Sequence, residues 1–339
     1  MSSPRKVAPG GRKKRRRGKD KSPFRQNIEF YLAFSFLTLL RWTPFGICKA
    51  LAALAGEAVF WVVPRRRNVA LMNLRIAFPE MDEKERRKVA RASCRSFVLT
   101  GLEGVKHLYR SRIEDAEREV HRVVEGVDAL FERARKVHEK AGGCVFVIPH
   151  LGNWEFLSHA SALARIPVTI VVRPLDNPRL EKYLFEMRAT SGQEILAKRN
   201  ALFHLRTALR KGRSIGLLAD QHAGMQGIDV PFFGKPASTT TGPAALAVSF
   251  GRPIMLVACL RRRDGKGYEA LLSEPIWPDL EAESVKEIER MTTAVNRGIE
   301  NFIRERPEQY LWIHDRWKLT KLWGRSEEFL ASRNEEKPS

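Results

Sequence analysis

Residues 144–148, Cys-Val-Phe-Val-Ile, are apolar at every position. A strand with one face in water alternates polar and apolar residues, so an unbroken run of this kind belongs to a strand covered on both faces. A second such run lies at 254–260. Further β-rich runs at 168–172, 214–219, 268–272 and 311–314 alternate with helical patterns at 154–164, 178–190, 201–211, 242–250 and 280–304. That alternation predicts an α/β fold with a mixed, largely parallel central sheet flanked by helices. The chain has no phosphate loop, no dinucleotide glycine fingerprint and no internal repeat.

Charge and hydropathy divide the chain. The 339 residues carry 60 Lys or Arg against 39 Asp or Glu, a net charge of +21. Residues 1–25 hold eleven Lys or Arg against Asp20 alone, with too little apolar surface to pack, so 1–26 reads as a disordered basic tail. A run such as Lys13-Lys14-Arg15-Arg16-Arg17 suits nucleic acid, anionic lipid or plain solvation, and composition does not separate these. The character then reverses, because 28–40 and 45–63 are strongly apolar, with Trp42 and Trp61 at segment ends. Arg41, Pro44, Gly46, Lys49 and Glu57 interrupt them, so neither is an unbroken span of roughly 20 apolar residues. Arg25 before and Arg65-Arg66-Arg67 after suit an N-terminal membrane-associated helical segment over 27–67, lying in or dipping into the cytoplasmic leaflet. A soluble helical subdomain is the plainer alternative. Residues 68–325 form the α/β domain, entered through an amphipathic helix at 82–95, and 326–339 reads as a flexible C-terminal tail. Cys48, Cys94, Cys144 and Cys259 lie far apart, and His159, His222 and His314 lack partners at ligand spacing, so reduced thiols and no metal site are expected.

The run 145–155, V-F-V-I-P-H-L-G-N-W-E, carries the candidate chemistry. A buried strand ends at Pro149, and a turn through Gly152 leads to a helix that Asn153 can cap. His150 therefore stands at the carboxyl end of a strand, where open α/β sheets place their sites. Glu155, in the first helical turn, can bring its carboxylate back to one imidazole nitrogen, leaving the other to take a proton from a hydroxyl. N–H groups at the helix start or a nearby Arg are the expected donors to an oxyanion. The spacing alone is weak, since 8 His and 39 acidic residues give about one chance match. Arg173 follows a buried strand, projects at the same sheet end, and suits a phosphate or carbonyl oxygen as well as a structural salt bridge. Asp220 and Gln221 end another strand there and could bind an acceptor, brace Arg173 or cap a loop. Phe232 and Phe233 suit an acyl channel or, more simply, core, and Thr239, Thr240 and Thr241 suit a helix cap or a phosphate contact.

Several rarer blocks stand in order along the chain: R-R-N-V-A-L-M-N-L-R-I-A-F-P at 66–79, P-H-L-G-N-W-E at 149–155, V-R-P at 172–174, L-A-D-Q at 218–221, V-P-F-F-G at 230–234, and P-E-Q-Y-L-W-I-H-D-R-W-K at 307–318. In these the chain resembles the lipid A biosynthesis late acyltransferases, within the wider glycerolipid acyltransferase group marked by His-x4-Asp/Glu, from about residue 46 to 318. The resemblance implies a transferase at the cytoplasmic face of a bacterial inner membrane, with His150 and Glu155 catalytic and Arg173, Asp220, Gln221 and Asn153 toward substrate. It implies acyl carrier protein or acyl-CoA as donor, a lipid A-like glycolipid as acceptor, and no cofactor. An acceptor such as a phosphatidylinositol mannoside is the nearer alternative. A non-catalytic basic protein binding membrane or nucleic acid is the more distant one, since the chain has no nucleic-acid module. The basic tail is longer than the family pattern, and Asp315 stands where a second basic residue is common.

Overall fold

The computed structural model describes residues 22–108, 120–157, 163–172, 175–189, 194–197 and 201–318. The basic tail before Ser22 and the expected C-terminal tail lie outside the described residues. The sheet is built on β2 (Val145–Ile148), whose all-apolar run lies between two parallel neighbours, β8 (Ile254–Arg261) and β5 (Ser214–Leu218). Beyond β5 come β3 (Val168–Val172) and β4 (Glu194–Ala197), both parallel. Beyond β8 come β9 (Tyr268–Leu272), antiparallel to it, and the short β1 (Val124–Glu125), parallel to β9. The seven-stranded order is β1-β9-β8-β2-β5-β3-β4, the mixed and mostly parallel sheet expected.

Connecting helices cover the faces: α5 (Val127–Ala141), α6 (Pro178–Ala189), α7 (Ala201–Arg210), α8 (Gly242–Phe250) and α9 (Ser284–Glu305). Val145, Val147, Ile254, Leu256 and Ile299 lie at the centre of the largest buried cluster, which explains the unbroken apolar runs. Three departures from the sequence pattern have local causes. The pattern does not reveal β4, a four-residue edge strand. It also misses the separate hairpin of β6 (Ile228–Phe232) and β7 (Lys235–Thr239), where Phe233 and Gly234 take positive φ to make the turn. Residues 311–314, expected as a strand, form turns instead, because Trp312 is buried in the core and Asn73 holds the carbonyls of Trp312 and His314 at 2.8 and 2.7 Å.

Four helices precede the sheet: α1 (Pro23–Trp42), α2 (Phe45–Val62), α3 (Pro64–Ala77) and α4 (Glu83–Leu108). Asp82 caps α4, accepting from the Glu85 N–H at 2.7 Å, and the helix runs well past the expected 82–95. By length and composition α2 is apolar enough to cross a membrane, contrary to the reading from its interruptions. Its two charged residues turn toward protein: Glu57 accepts from Arg91 at 3.0 Å and Lys49 donates to the Gly265 carbonyl at 3.2 Å. The other faces of α1 and α2 carry exposed Tyr31, Leu32, Leu39, Ile47, Leu51 and Leu54. Gly56 lets α2 lie directly on α4, since a Cβ there would stand 2.5 Å from the Arg95 Cα.

Candidate active site

The turn after β2 is fixed from three sides. Gly152 has φ +64, the left-handed region that glycine adopts without strain, and its carbonyl accepts from the Thr100 hydroxyl at 2.7 Å. Its N–H donates to the Gln309 carbonyl at 3.1 Å, and the next N–H, of Asn153, donates to the Cys259 carbonyl at 2.7 Å. The Asn153 side chain caps the following helical turn, accepting from the Phe156 N–H at 3.2 Å. Its amide donates to Glu103 at 3.0 Å and Tyr268 at 3.3 Å. The cap expected of Asn153 is present. The substrate contact expected of it does not follow from this geometry, because the residue is fully buried with its amide committed to the protein.

Register then decides the partner of His150. Parallel β2 and β5 align Ile148 with Leu218, so two residues further on His150 stands beside Asp220. The Asp220 carboxylate spans both groups that His150 offers it, with Oδ1 2.7 Å from the ring Nδ1 and Oδ2 accepting from the backbone N–H at 2.8 Å. Burial raises the pKa of the Tyr310 phenol, which lies close enough to Asp220 for the carboxylate to raise it further. The orienting carboxylate on Nδ1 is therefore Asp220 and not Glu155. The Gly152 turn lies between Glu155 and the ring along the chain, whereas the neighbouring strand delivers Asp220 directly. Glu155 acts on the ring through its charge.

Electrostatics follow from this arrangement. Burial pulls the His150 pKa down, but the charge and hydrogen bond of Asp220, followed by the charge of Glu155, outweigh it and hold the ring above the ordinary histidine value. Burial likewise opposes ionisation of Asp220, and its bonds to His150 overcome this and hold the carboxyl below its ordinary range. With Nδ1–H donated to Asp220, the neutral ring keeps a lone pair on Nε2. The imidazole is still partly accessible, with 16% of the side chain exposed against 2% for Asp220. His314 approaches the same pair; burial pushes it down to about 4 against the opposing charge of Asp220, and its Nε2 accepts from the His222 N–H at 3.1 Å.

Of the remaining sequence candidates, Gln221 is exposed immediately after Asp220, at the same sheet edge. Arg173 lies outside the described residues, as does His159. N–H groups at 150, 151, 152, 153 and 156 are all bonded within the protein, which removes them from the expected oxyanion donors. Phe232 and Phe233 are core, packed with Phe78 and Trp312, and Thr240 caps the start of α8 through the Gly242 N–H at 3.3 Å. The sequence reading missed Tyr310, Arg316 and the Glu103–Arg261 pair. Arg316 is buried against the Phe232 ring and donates to Ser238 and Thr239. Glu103 and Arg261 meet at 2.6 Å beneath Asn153. The polar residues within the apolar 91–105 stretch are the signal that marks α4 as a bracing helix. A narrow apolar slot of about 80 Å³ runs between α5 and the sheet, and Ile148 and Phe156, which flank the His150 turn, are among its walls. Among the described residues no cluster of His, Cys, Asp or Glu could hold a metal ion.

Comparison with known proteins identifies the family of the chain. The family profile described as bacterial lipid A biosynthesis acyltransferase matches residues 18–319. The lipid A biosynthesis lauroyltransferase of Escherichia coli K12 is 28% identical over 85% of this chain and 90% of its own length. A lipid A biosynthesis acyltransferase of Haemophilus influenzae is 30% identical over 75% of this chain and 78% of its own length. The phosphatidylinositol mannoside acyltransferase of Mycobacterium tuberculosis H37Rv is 26% identical over 59% of this chain and 61% of its own. With the profile spanning the whole sheet and the His150 turn, the chain belongs to the bacterial lipid A biosynthesis acyltransferase family and is an acyltransferase.

Proposed function

We propose that the protein transfers a fatty acyl group from an acyl thioester, on acyl carrier protein or coenzyme A, to a hydroxyl of a lipid A-like glycolipid. The reaction takes place at the cytoplasmic face of a bacterial inner membrane. The observation that carries the reading is the His150 Nδ1 to Asp220 Oδ1 contact of 2.7 Å at the carboxyl end of the sheet, which leaves Nε2 available as a base. Nε2 takes the proton of the acceptor hydroxyl as its oxygen attacks the thioester carbonyl. The imidazolium so formed is stabilised by Asp220 and, less closely, by Glu155. Collapse of the tetrahedral intermediate breaks the C–S bond, and Nε2–H returns the proton to the departing thiolate. Arg173 and Gln221 are the proposed contacts to the acceptor and the developing charge. The apolar slot beside Ile148 suits the hydrocarbon tail of the acyl group, which opens it further on binding.

The exposed apolar faces of α1 and α2 support residence at the bilayer, and the longer match to lipid A enzymes than to the mannoside enzyme supports the acceptor. In an assay with labelled acyl thioester and membrane glycolipid, His150→Ala is expected to lower turnover by on the order of 10²–10⁴, the scale of a lost general base. Undiminished transfer by that variant rejects the mechanism. Mass spectrometry of lipids from a strain lacking the gene is expected to show a lipid A species short of one acyl chain; an unchanged lipid A profile rejects the acceptor.

The pH profile provides an independent check. Only the neutral ring can act as base, and its pKa is raised, so kcat/KM is expected to climb with pH along an acid limb centred above the ordinary histidine value of 6.5. An acid limb centred below 6.5 would contradict the pairing with Asp220.

A further inference from the structure

A second cavity, of about 1090 Å³, lies between α2, α4 and the β8–β9 hairpin. Lys49, Arg95, Lys106, Arg122, Arg262 and Lys266 stand around it. Among the described residues its lining carboxylates are Glu308 and Glu103; Glu103 is neutralised in the floor by Arg261, and Arg95 and Arg262 are paired with Glu57 at 3.6 Å and Asp264 at 3.1 Å. The lysines and arginines of the lining outnumber these four carboxylates, so the cleft carries a net positive charge. Its floor shares Glu103, Tyr268 and Gln309 with the bracing of the His150 turn, but His150 itself is not part of its lining. Phe97, which stacks on Trp154 beside His150, is two residues from both Arg95 and Leu99, about 200° away around α4. The ring that meets Trp154 and the basic rim of the cleft thus lie on opposite faces of α4, with Glu103 reaching the turn from the cleft floor.

The position of the rim identifies the occupant. Trp42 is 78% exposed at the cleft edge, next to Phe45 at the start of α2. Residues 45, 49, 52 and 53 form the stripe of α2 that faces the cleft, whereas Ile47, Leu51 and Leu54 are exposed on the rest of that helix. Lys49, one of two charged residues in α2, lies 4.9 Å from the Phe45 ring centroid and donates to the Gly265 carbonyl, tying the hairpin tip to the rim. The hairpin is a firm wall: Gly267 has φ +105, and a Cβ there would stand 2.3 Å from the Val123 carbonyl oxygen. An apolar band, an interfacial tryptophan and a cationic hollow follow one another over the depth at which a leaflet changes from acyl chain to phosphate.

We propose that this cleft seats the phosphate-bearing headgroup of an anionic membrane lipid, docking the enzyme on the leaflet at a site distinct from the reacting hydroxyl. The proposal rests on the bilayer-facing reading of α1 and α2. An acidic protein would match the charge but would have to cover the adjoining apolar band, which a leaflet covers by itself.

The test uses the full chain and two kinds of vesicle, phosphatidylcholine alone and phosphatidylcholine containing phosphatidylglycerol. The wild-type protein is expected to bind both and to prefer the anionic vesicles. The triple variant Lys49→Glu/Arg262→Glu/Lys266→Glu is expected to bind neutral vesicles like the wild type and to lose at least about tenfold of its affinity for anionic ones, given the contribution of each basic residue near a charged surface. Lys49→Met/Lys266→Met, which places no new charge, is expected to lose part of the same preference with an unchanged melting midpoint. A phosphatidylglycerol carrying a photoreactive headgroup is expected to label peptides of α4 or the hairpin. Wild-type preference retained by both variants, with labelling confined to residues 1–25, assigns the anionic affinity to the tail and overturns the proposal. Unchanged lipid preference together with lost saturable binding of an acidic carrier protein overturns it in favour of a protein dock. Failure of the wild-type protein to bind neutral vesicles removes the bilayer-facing reading, and this proposal with it.

Discussion

Asp220→Asn is expected to lower kcat by on the order of 10²–10⁴ while leaving the fold in place. The amide keeps the volume of the carboxylate but loses its charge, and its NH₂ can face the ring where an acceptor is needed. The neutral imidazole is then free to carry its proton on Nε2, the nitrogen that must accept. The imidazolium formed during the reaction also loses the counter-charge that lies 2.7 Å from Nδ1. Two readouts separate this from general damage. The acid limb of kcat/KM should move down, because Asp220 holds the ring pKa up. Glu155→Gln should move that limb in the same direction by less, since its charge ranks after both contributions of Asp220. A larger limb shift from Glu155→Gln, or near-normal kcat in Asp220→Asn, would return the orienting role to Glu155.

The second large effect is expected at Gly152→Ala. A Cβ there would lie 2.1 Å from the Cys259 carbonyl oxygen and 2.9 Å from its carbon, both backbone atoms of β8. That strand is paired on both sides, with β2 and with β9, so it cannot draw back. The residue must also leave or strain the left-handed conformation, roughly 1–2 kcal/mol for a non-glycine. The turn carrying His150 is therefore expected to shift, removing most activity and lowering the melting midpoint by at least about 5 °C. Gly234→Ala provides the control, because φ there is +70 and a Cβ meets nothing within 4 Å. It should cost only the backbone strain and keep its activity. Equal losses at the two positions would show that conformation, and not the approach of β8, accounts for the effect.

Much of the fold was legible in the residues because it depends on local pattern. All-apolar runs marked β2 and β8, and the bounds of α6, α7 and α8 fall within a residue of the helical patterns. Short elements were not legible: β4 is four residues at a sheet edge, and the β6–β7 hairpin turns at Phe233-Gly234 without a strong turn signal. The segment 311–314 misled because a buried Trp and flanking apolar residues look alike whether strand pairing or side-chain packing accounts for them.

The site divides in the same way. The sequence by itself placed His150 at a strand's carboxyl end with Gly152 and the Asn153 cap behind it, since a buried strand followed by a glycine turn permits little else. It also pointed to Asp220 at the end of a second strand, but as a contact for an acceptor, a brace for Arg173 or a loop cap, not as the partner of His150. Only the tertiary structure brought the two together, because strand order and register are long-range choices: β5 joins β2 in the sheet, Ile148 aligns with Leu218, and a carboxylate seventy residues away reaches the imidazole. Sequence spacing favours the nearer acid, Glu155. Hydrogen-bond geometry favours the acid that the neighbouring strand carries to the ring.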